Sequence, residues 1–177
     1  MEKTVSSRLV YDGSLLKIYR DEITTESGLP SIREIVRHPG GVCIGALDDM
    51  DRLWFVKQYR YALQQDVIEL PAGKLEPGED PDLAAARELR EETGFTADRI
   101  VRLSDDYPTP GYTSEITHLY FATGLHPGKQ SLDADEDVEA FPISLDDAVR
   151  DVMNGKIRDG KTQVLVLMIS RLVNGKT

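Results

Sequence analysis

Residues 73 to 95 read GKLEPGEDPDLAAARELREETGF, and few folds can seat such a segment. Gly73, Pro77, Gly78 and Pro81 punctuate a loop, Asp80 can cap a helix with Pro81 at its first position, and Gly94 can end it. The pattern is loop, helix, loop. Within the helix Glu88, Glu91 and Glu92 share a face about 100° wide, while Leu83, Ala86 and Leu89 lie away from it and are expected to pack inward. Like charges at such spacing cost a few tenths of a kcal/mol per pair, so three glutamates together suggest a divalent cation. Oxygen-only ligands favour magnesium or manganese over zinc, and His38, His118 and His126 are scattered away from any metal-ligand spacing. The alternative is a solvated charged face on which Arg87 pairs with Glu91.

The flanks weigh against that alternative. Gly73, Glu79, Arg87, Glu88, Leu89, Glu91, Glu92, Gly94 and Phe95 fall at fixed spacing, a pattern expected by chance about once in 10^9 start positions at average residue usage. The chain resembles the Nudix hydrolases, and their box is matched over 73–95 without departure. The resemblance implies an α/β/α sandwich with a mixed sheet, in which the helix of the box carries the metals that bind a diphosphate. It also implies Glu88 and Glu92 as the main ligands and Glu91 as a further ligand or a water-orienting base. The backbone carbonyl of Ala72 is an additional ligand on the same resemblance. Glu79 either reaches the metal through water or ties the loop to the helix, and Arg87 is expected to hold Glu91 or the loop.

Composition limits the rest. A chain of 177 residues with 40% hydrophobic content supports one globular core and is short for two. A net charge of −10 argues against a nucleic-acid surface, yet metals and a few arginines can reverse the local field for an anionic substrate. MEKTVSSRLV has no signal-peptide core and Val164 to Ile169 is too short to span a bilayer, so a cytoplasmic protein with no membrane partner is expected. The single Cys43 permits no internal disulfide and reads as a small core residue.

Strands are expected at 6–11 and 15–25 around Asp12-Gly13, then at 31–37, 41–47, 53–59, 67–70, 116–122 and 138–143. Helices are expected from a Ser144 cap through Asn154 and over 162–172. The resulting fold class is α/β, with an N-terminal antiparallel extension over 1–40 ahead of a hydrolase domain over 41–177. The extension is placed to pair with a second subunit, so a homodimer is expected.

Substrate choice is read from the flanks of the box. Tyr107-Pro-Thr-Pro-Gly-Tyr-Thr-Ser-Glu115, with Pro110 sixteen residues after Gly94, resembles the ADP-ribose pyrophosphatase branch of the family. Val56-Lys-Gln-Tyr-Arg60, Ile68-Glu-Leu-Pro-Ala-Gly73 and the acidic run Asp133-Ala-Asp-Glu-Asp137 resemble the same branch. The implied reaction is hydrolysis of ADP-ribose to AMP and ribose 5-phosphate, with Glu136 completing the metal site or acting as general base. Arg60 ends a strand where its fork of donors either holds a phosphate or forms a surface ion pair. Pro108 and Pro110 stiffen the loop that presents Glu115 to a substrate hydroxyl, and Tyr19 is a candidate for stacking on adenine. Another nucleoside diphosphate derivative would need the same helix: a nucleotide sugar, a dinucleoside polyphosphate or an oxidised nucleotide. A non-catalytic ADP-ribose sensor would predict a damaged box or an attached DNA-binding module, and the sequence has neither.

Overall fold

Residues 1–14, 16–132 and 137–175 are described by a computed structural model, in which the chain divides into two compact units. The smaller holds Met1–Gly40 and Tyr107–Ile116; the larger holds Gly41–Asp106 and Thr117–Thr177.

In the smaller unit β1 (Lys3–Asp12), β2 (Lys17–Thr24) and β3 (Pro30–Arg37) form an antiparallel sheet in that order. Segment 107–116 belongs with it because Val36 donates its amide to Tyr112 O at 2.7 Å and accepts from Ser114 N at 3.0 Å. This bridge makes the Pro110 loop a satellite of β3.

The larger unit is built on a seven-stranded sheet. Its main path runs β10 (Val138–Ser144), β5 (Arg52–Arg60), β4 (Gly41–Leu47), β9 (Thr117–His126) and β8 (Thr96–Asp106). The short β6 (Gln65–Glu69) pairs with β5, and β7 (Ala72–Lys74) pairs with β4. Only β4 and β9 run parallel among these pairs, so the sheet is mixed.

Strand β4 shows why two helical layers form. Every residue from Gly41 to Leu47 is buried, and the period of two sends Val42, Ile44 and Ala46 to one face and Cys43 and Leu47 to the other. The first face packs on α1 (Pro81–Thr93) through Ala84, Ala85 and Leu89. The second packs on α2 (Leu145–Met153) and α3 (Gly160–Val173) through Ala148, Leu165, Val166 and Ile169. At Gly45 a Cβ would run into Ile169, so α3 sits directly on the strand. The result is the α/β/α arrangement with a mixed sheet.

Capping follows the local chemistry. Asp80 accepts from Asp82 N at 2.8 Å with Pro81 in the first turn, and Gly94 ends α1 in the left-handed region at φ 78°. Ser144 caps α2, and Asp159 caps α3, which starts at Gly160, two residues before the expected start. Two expectations need correction. Leu83 is 68% exposed and Ala86 is also exposed, because the face of α1 turned to the sheet is the one holding Ala84, Ala85, Glu88, Leu89 and Glu92. Glu88 and Glu92 lie on the inward face, not opposite it, while Glu91 is half-buried at its margin. Strand β8 was not expected from its sequence: Asp98, Arg99, Arg102, Asp105 and Asp106 crowd a sheet edge, and a bulge between Arg102 and Ser104 breaks the alternation.

Candidate active site

Strand β7 and helix α1 bring the centre of the box together. Glu92 is 4% exposed and accepts from the amide of Ala72 at 2.8 Å through Oε2. Glu88, at 9% exposed, lies against Gly73, where any Cβ would coincide with its carboxylate. A side chain at 73 would displace the Glu88 carboxylate from this position. Two buried carboxylates one helical turn apart exclude a fully solvated face, although the Arg87–Glu91 pair of that alternative does form, at 2.9 Å.

Arg87 is the hub of three carboxylates. Its Nε and Nη2 donate to Glu79 at 2.8 and 2.9 Å, and its Nη1 donates to Glu88 at 2.8 Å and to Glu91 at 2.9 Å. A further bond from Nη2 to Lys74 O at 3.2 Å ties the loop to the helix. Hydrogen bonding to Glu79 holds the guanidinium above its usual range, and the same contact holds the Glu79 carboxyl below its own. Glu79 also accepts from Glu76 N at 2.9 Å, so it acts here as the tie between loop and helix.

Among the described residues no three His, Cys, Asp or Glu side chains gather as a ready metal cluster; Arg87 instead spreads Glu79, Glu88 and Glu91 around itself. The donor set still fits a hard divalent cation. It is all oxygen, it includes two buried carboxylates, and the missing Cβ at Gly73 lets the Glu88 carboxylate lie against the backbone.

The remaining expected residues are placed as follows. Arg60 forks onto Glu69, with Nε to Oε1 at 2.6 Å and Nη2 to Oε2 at 2.8 Å, while its Nη1 makes no hydrogen bond among the described residues. In the smaller unit Tyr19 lies under the Arg37 guanidinium at 4.0 Å, Pro110 is exposed in a turn, and Glu115 approaches His38 Nδ1 at 3.9 Å. Glu136 lies outside the described residues.

Residues that sequence reasoning missed surround this centre. Gln130 Nε2 donates to Glu92 O at 2.6 Å and to Val138 O at 3.1 Å, and Ser131 N donates to Glu91 O at 3.0 Å, so the last turn of α1 is closed from outside. Glu69 and Lys161 meet at 2.6 Å across 92 positions of chain, a separation that leaves no local signal. Burial pushes the Glu69 carboxyl up, but Arg60 and Lys161 more than offset it and hold it below the usual range. Cys43 is buried, and desolvation pushes its thiol well up, consistent with an inert core residue.

A sandwich with a box helix buried against β7 defines a class, and comparison with known proteins agrees. Residues 36–168 match the NUDIX domain, and the chain belongs to that family. It is 39% identical over 163 residues to an ADP-ribose pyrophosphatase of Bacillus subtilis (strain 168), covering 91% of this chain and 88% of the relative. It is 40% identical over 167 residues to a methanol dehydrogenase activator of Bacillus methanolicus, covering 93% and 90%. A crystal structure of an ADP compounds hydrolase shares the fold, with a TM-score of 0.85, 19% identity and coverage of 99% of this chain and 95% of that one. Hydrolases of this family are generally divalent-metal dependent.

Proposed function

We propose that this enzyme hydrolyses the diphosphate of ADP-ribose to AMP and ribose 5-phosphate with magnesium, manganese serving as the alternative ion. The observation that carries the reading is the pair of buried carboxylates, Glu88 and Glu92, packed on Ala72 and Gly73 in a chain 39% identical to an ADP-ribose pyrophosphatase. Glu88 and Glu92 would hold the cation, with Glu91 and the Ala72 carbonyl as further ligands. Bound divalent cations supply charge neutralisation at a diphosphate and acidification of water. Arg87 orients Glu88 and Glu91 and fixes the loop through Glu79. Arg60 offers its Nη1, which makes no hydrogen bond among the described residues, to a phosphate oxygen. Tyr19, Pro110 and Glu115 are the proposed contacts to the nucleoside and ribose ends of the substrate, and Glu136 is the proposed general base.

Water adds across the P–O–P bridge, one phosphoryl group taking its oxygen and the other leaving with a proton. For Glu136→Gln the expectation is a kcat reduced about a hundredfold with KM changed less than threefold. A change confined to KM makes Glu136 a binding residue.

The deciding experiment is a product assay with magnesium across ADP-ribose, nucleotide sugars, dinucleoside polyphosphates and oxidised nucleotides. AMP release greatest from ADP-ribose supports the reading; a higher kcat/KM for any other member replaces the substrate. Binding of ADP-ribose without AMP release would instead make the chain a sensor.

A homodimer and a cytoplasmic location belong to the same reading. Strand β1 is exposed along its whole length, Val5, Leu9, Val10 and Tyr11 included, which suits pairing with a second copy. A monomer by sedimentation in the assay preparation removes the pairing. No helix among the described residues is long and apolar enough to cross a membrane.

A further inference from the structure

Four charged side chains at the ends of β5 and β6 and the start of α3 form an alternating line, of which the reaction as described uses only Arg60. Glu69, 3% exposed, takes Arg60 on both oxygens and accepts from Lys161 Nζ at 2.6 Å on Oε2. Lys161 also donates to Asp159 Oδ1 at 2.8 Å. Asp159 in turn caps α3 through Thr162 N at 3.0 Å, and Thr162 Oγ1 accepts from Leu70 N at 2.9 Å. The order is Arg60, Glu69, Lys161, Asp159: plus, minus, plus, minus.

Only one end of this line reaches solvent freely. The Arg60 side chain is 41% exposed, whereas Glu69, Lys161 and Asp159 are largely covered. Arg60 is forked onto Glu69, three residues before Ala72 whose amide Glu92 engages, so the guanidinium is tied to the segment that leads into the box; hydrogen bonding to Glu69 holds it above its usual range. A guanidinium locked to one carboxylate has its field largely cancelled for any second anion. A second cation on that carboxylate restores it.

We propose that Lys161 is a positioning residue for catalysis: by neutralising Glu69 from behind, it leaves Arg60 able to attract a substrate phosphate. With both cations the four groups sum to zero (two positive, two negative). Without Lys161 they sum to −1, a buried negative charge beside the binding place of a diphosphate. A purely scaffolding lysine would affect stability and leave substrate affinity alone.

The test is steady-state kinetics of Lys161→Met, Lys161→Gln and the double variant Lys161→Met with Glu69→Gln, each with a thermal melt. Both single variants are expected to raise KM for ADP-ribose about tenfold with kcat within about threefold of wild type. The double variant, whose remaining groups again sum to zero, is expected to return KM to within about threefold of wild type. A KM within twofold of wild type in the single variants, or no recovery in the double variant, overturns the inference. Failure of both single variants to fold assigns Lys161 a structural role and also overturns it. The inference rests on the ADP-ribose reading, and the two fail separately: an inactive wild type removes the reading, while an active wild type with unmoved KM values removes only the role of Lys161.

Discussion

Glu92→Gln is expected to lower kcat by about two orders of magnitude or more while leaving the fold in place. The amide keeps the shape of the side chain, and its carbonyl can still accept from Ala72 N, which Glu92 now engages at 2.8 Å. What disappears is one buried negative charge from a helix face that already carries Glu88 and Glu91. Without divalent cation, the variant should therefore melt at or above the wild-type temperature, because like-charge repulsion is relieved. With cation the order reverses. A ligand at a hundred times its Kd stabilises the native state by about 2.7 kcal/mol, and the variant should lose most of that gain. The measurement is kcat together with melting curves in chelator and in magnesium. Activity within about threefold of wild type would sink the assignment of Glu92 as a metal ligand.

Arg87→Met should produce a large loss of stability for a residue that is not part of the apolar core. One guanidinium faces the carboxylates of Glu79, Glu88 and Glu91, one cation against three anions, and it also holds Lys74 O. Removing one partner of a fully buried ion pair costs about 3 to 5 kcal/mol, and the partial exposure of Arg87 reduces the expected cost here to about 2 to 3 kcal/mol. For a chain of this length that corresponds to roughly 5 to 10 °C in Tm. Divalent cation should restore part of the loss, since it supplies positive charge to the same oxygens. Lysine is expected to substitute poorly, because a point charge cannot meet three carboxylates and a carbonyl at once. A Tm shift below about 1 °C, or a loss indifferent to magnesium, would show that Arg87 is not the counter-charge of the cluster.

Local features of the box were legible because each depends on residues close in sequence. Asp80, Pro81 and Gly94 bound α1 by capping chemistry that needs only the nearest turn. The continuous apolar run at 41–47 announced a strand, and the structure buries that strand on both faces under helices. Legibility failed where tertiary context competes with pattern. Leu83 looks like a core residue on a helical wheel, yet the sheet meets α1 along the Ala84, Ala85 and Leu89 line and leaves it in water. Strand β8 carries charges that an edge position tolerates and a bulge that no alternation rule anticipates.

By itself the sequence determined the family, the helix of the box and the set of carboxylates available to a cation. Those follow from residue identity and short spacing. The tertiary structure alone decided which carboxylates are buried, that Arg87 bridges Glu79, Glu88 and Glu91 together, and that Lys161 reaches Glu69 across 92 residues. The physical reason is that burial and Coulomb energy depend on distances through space, and the chain sets those only once β7, α1 and α3 have packed on β4.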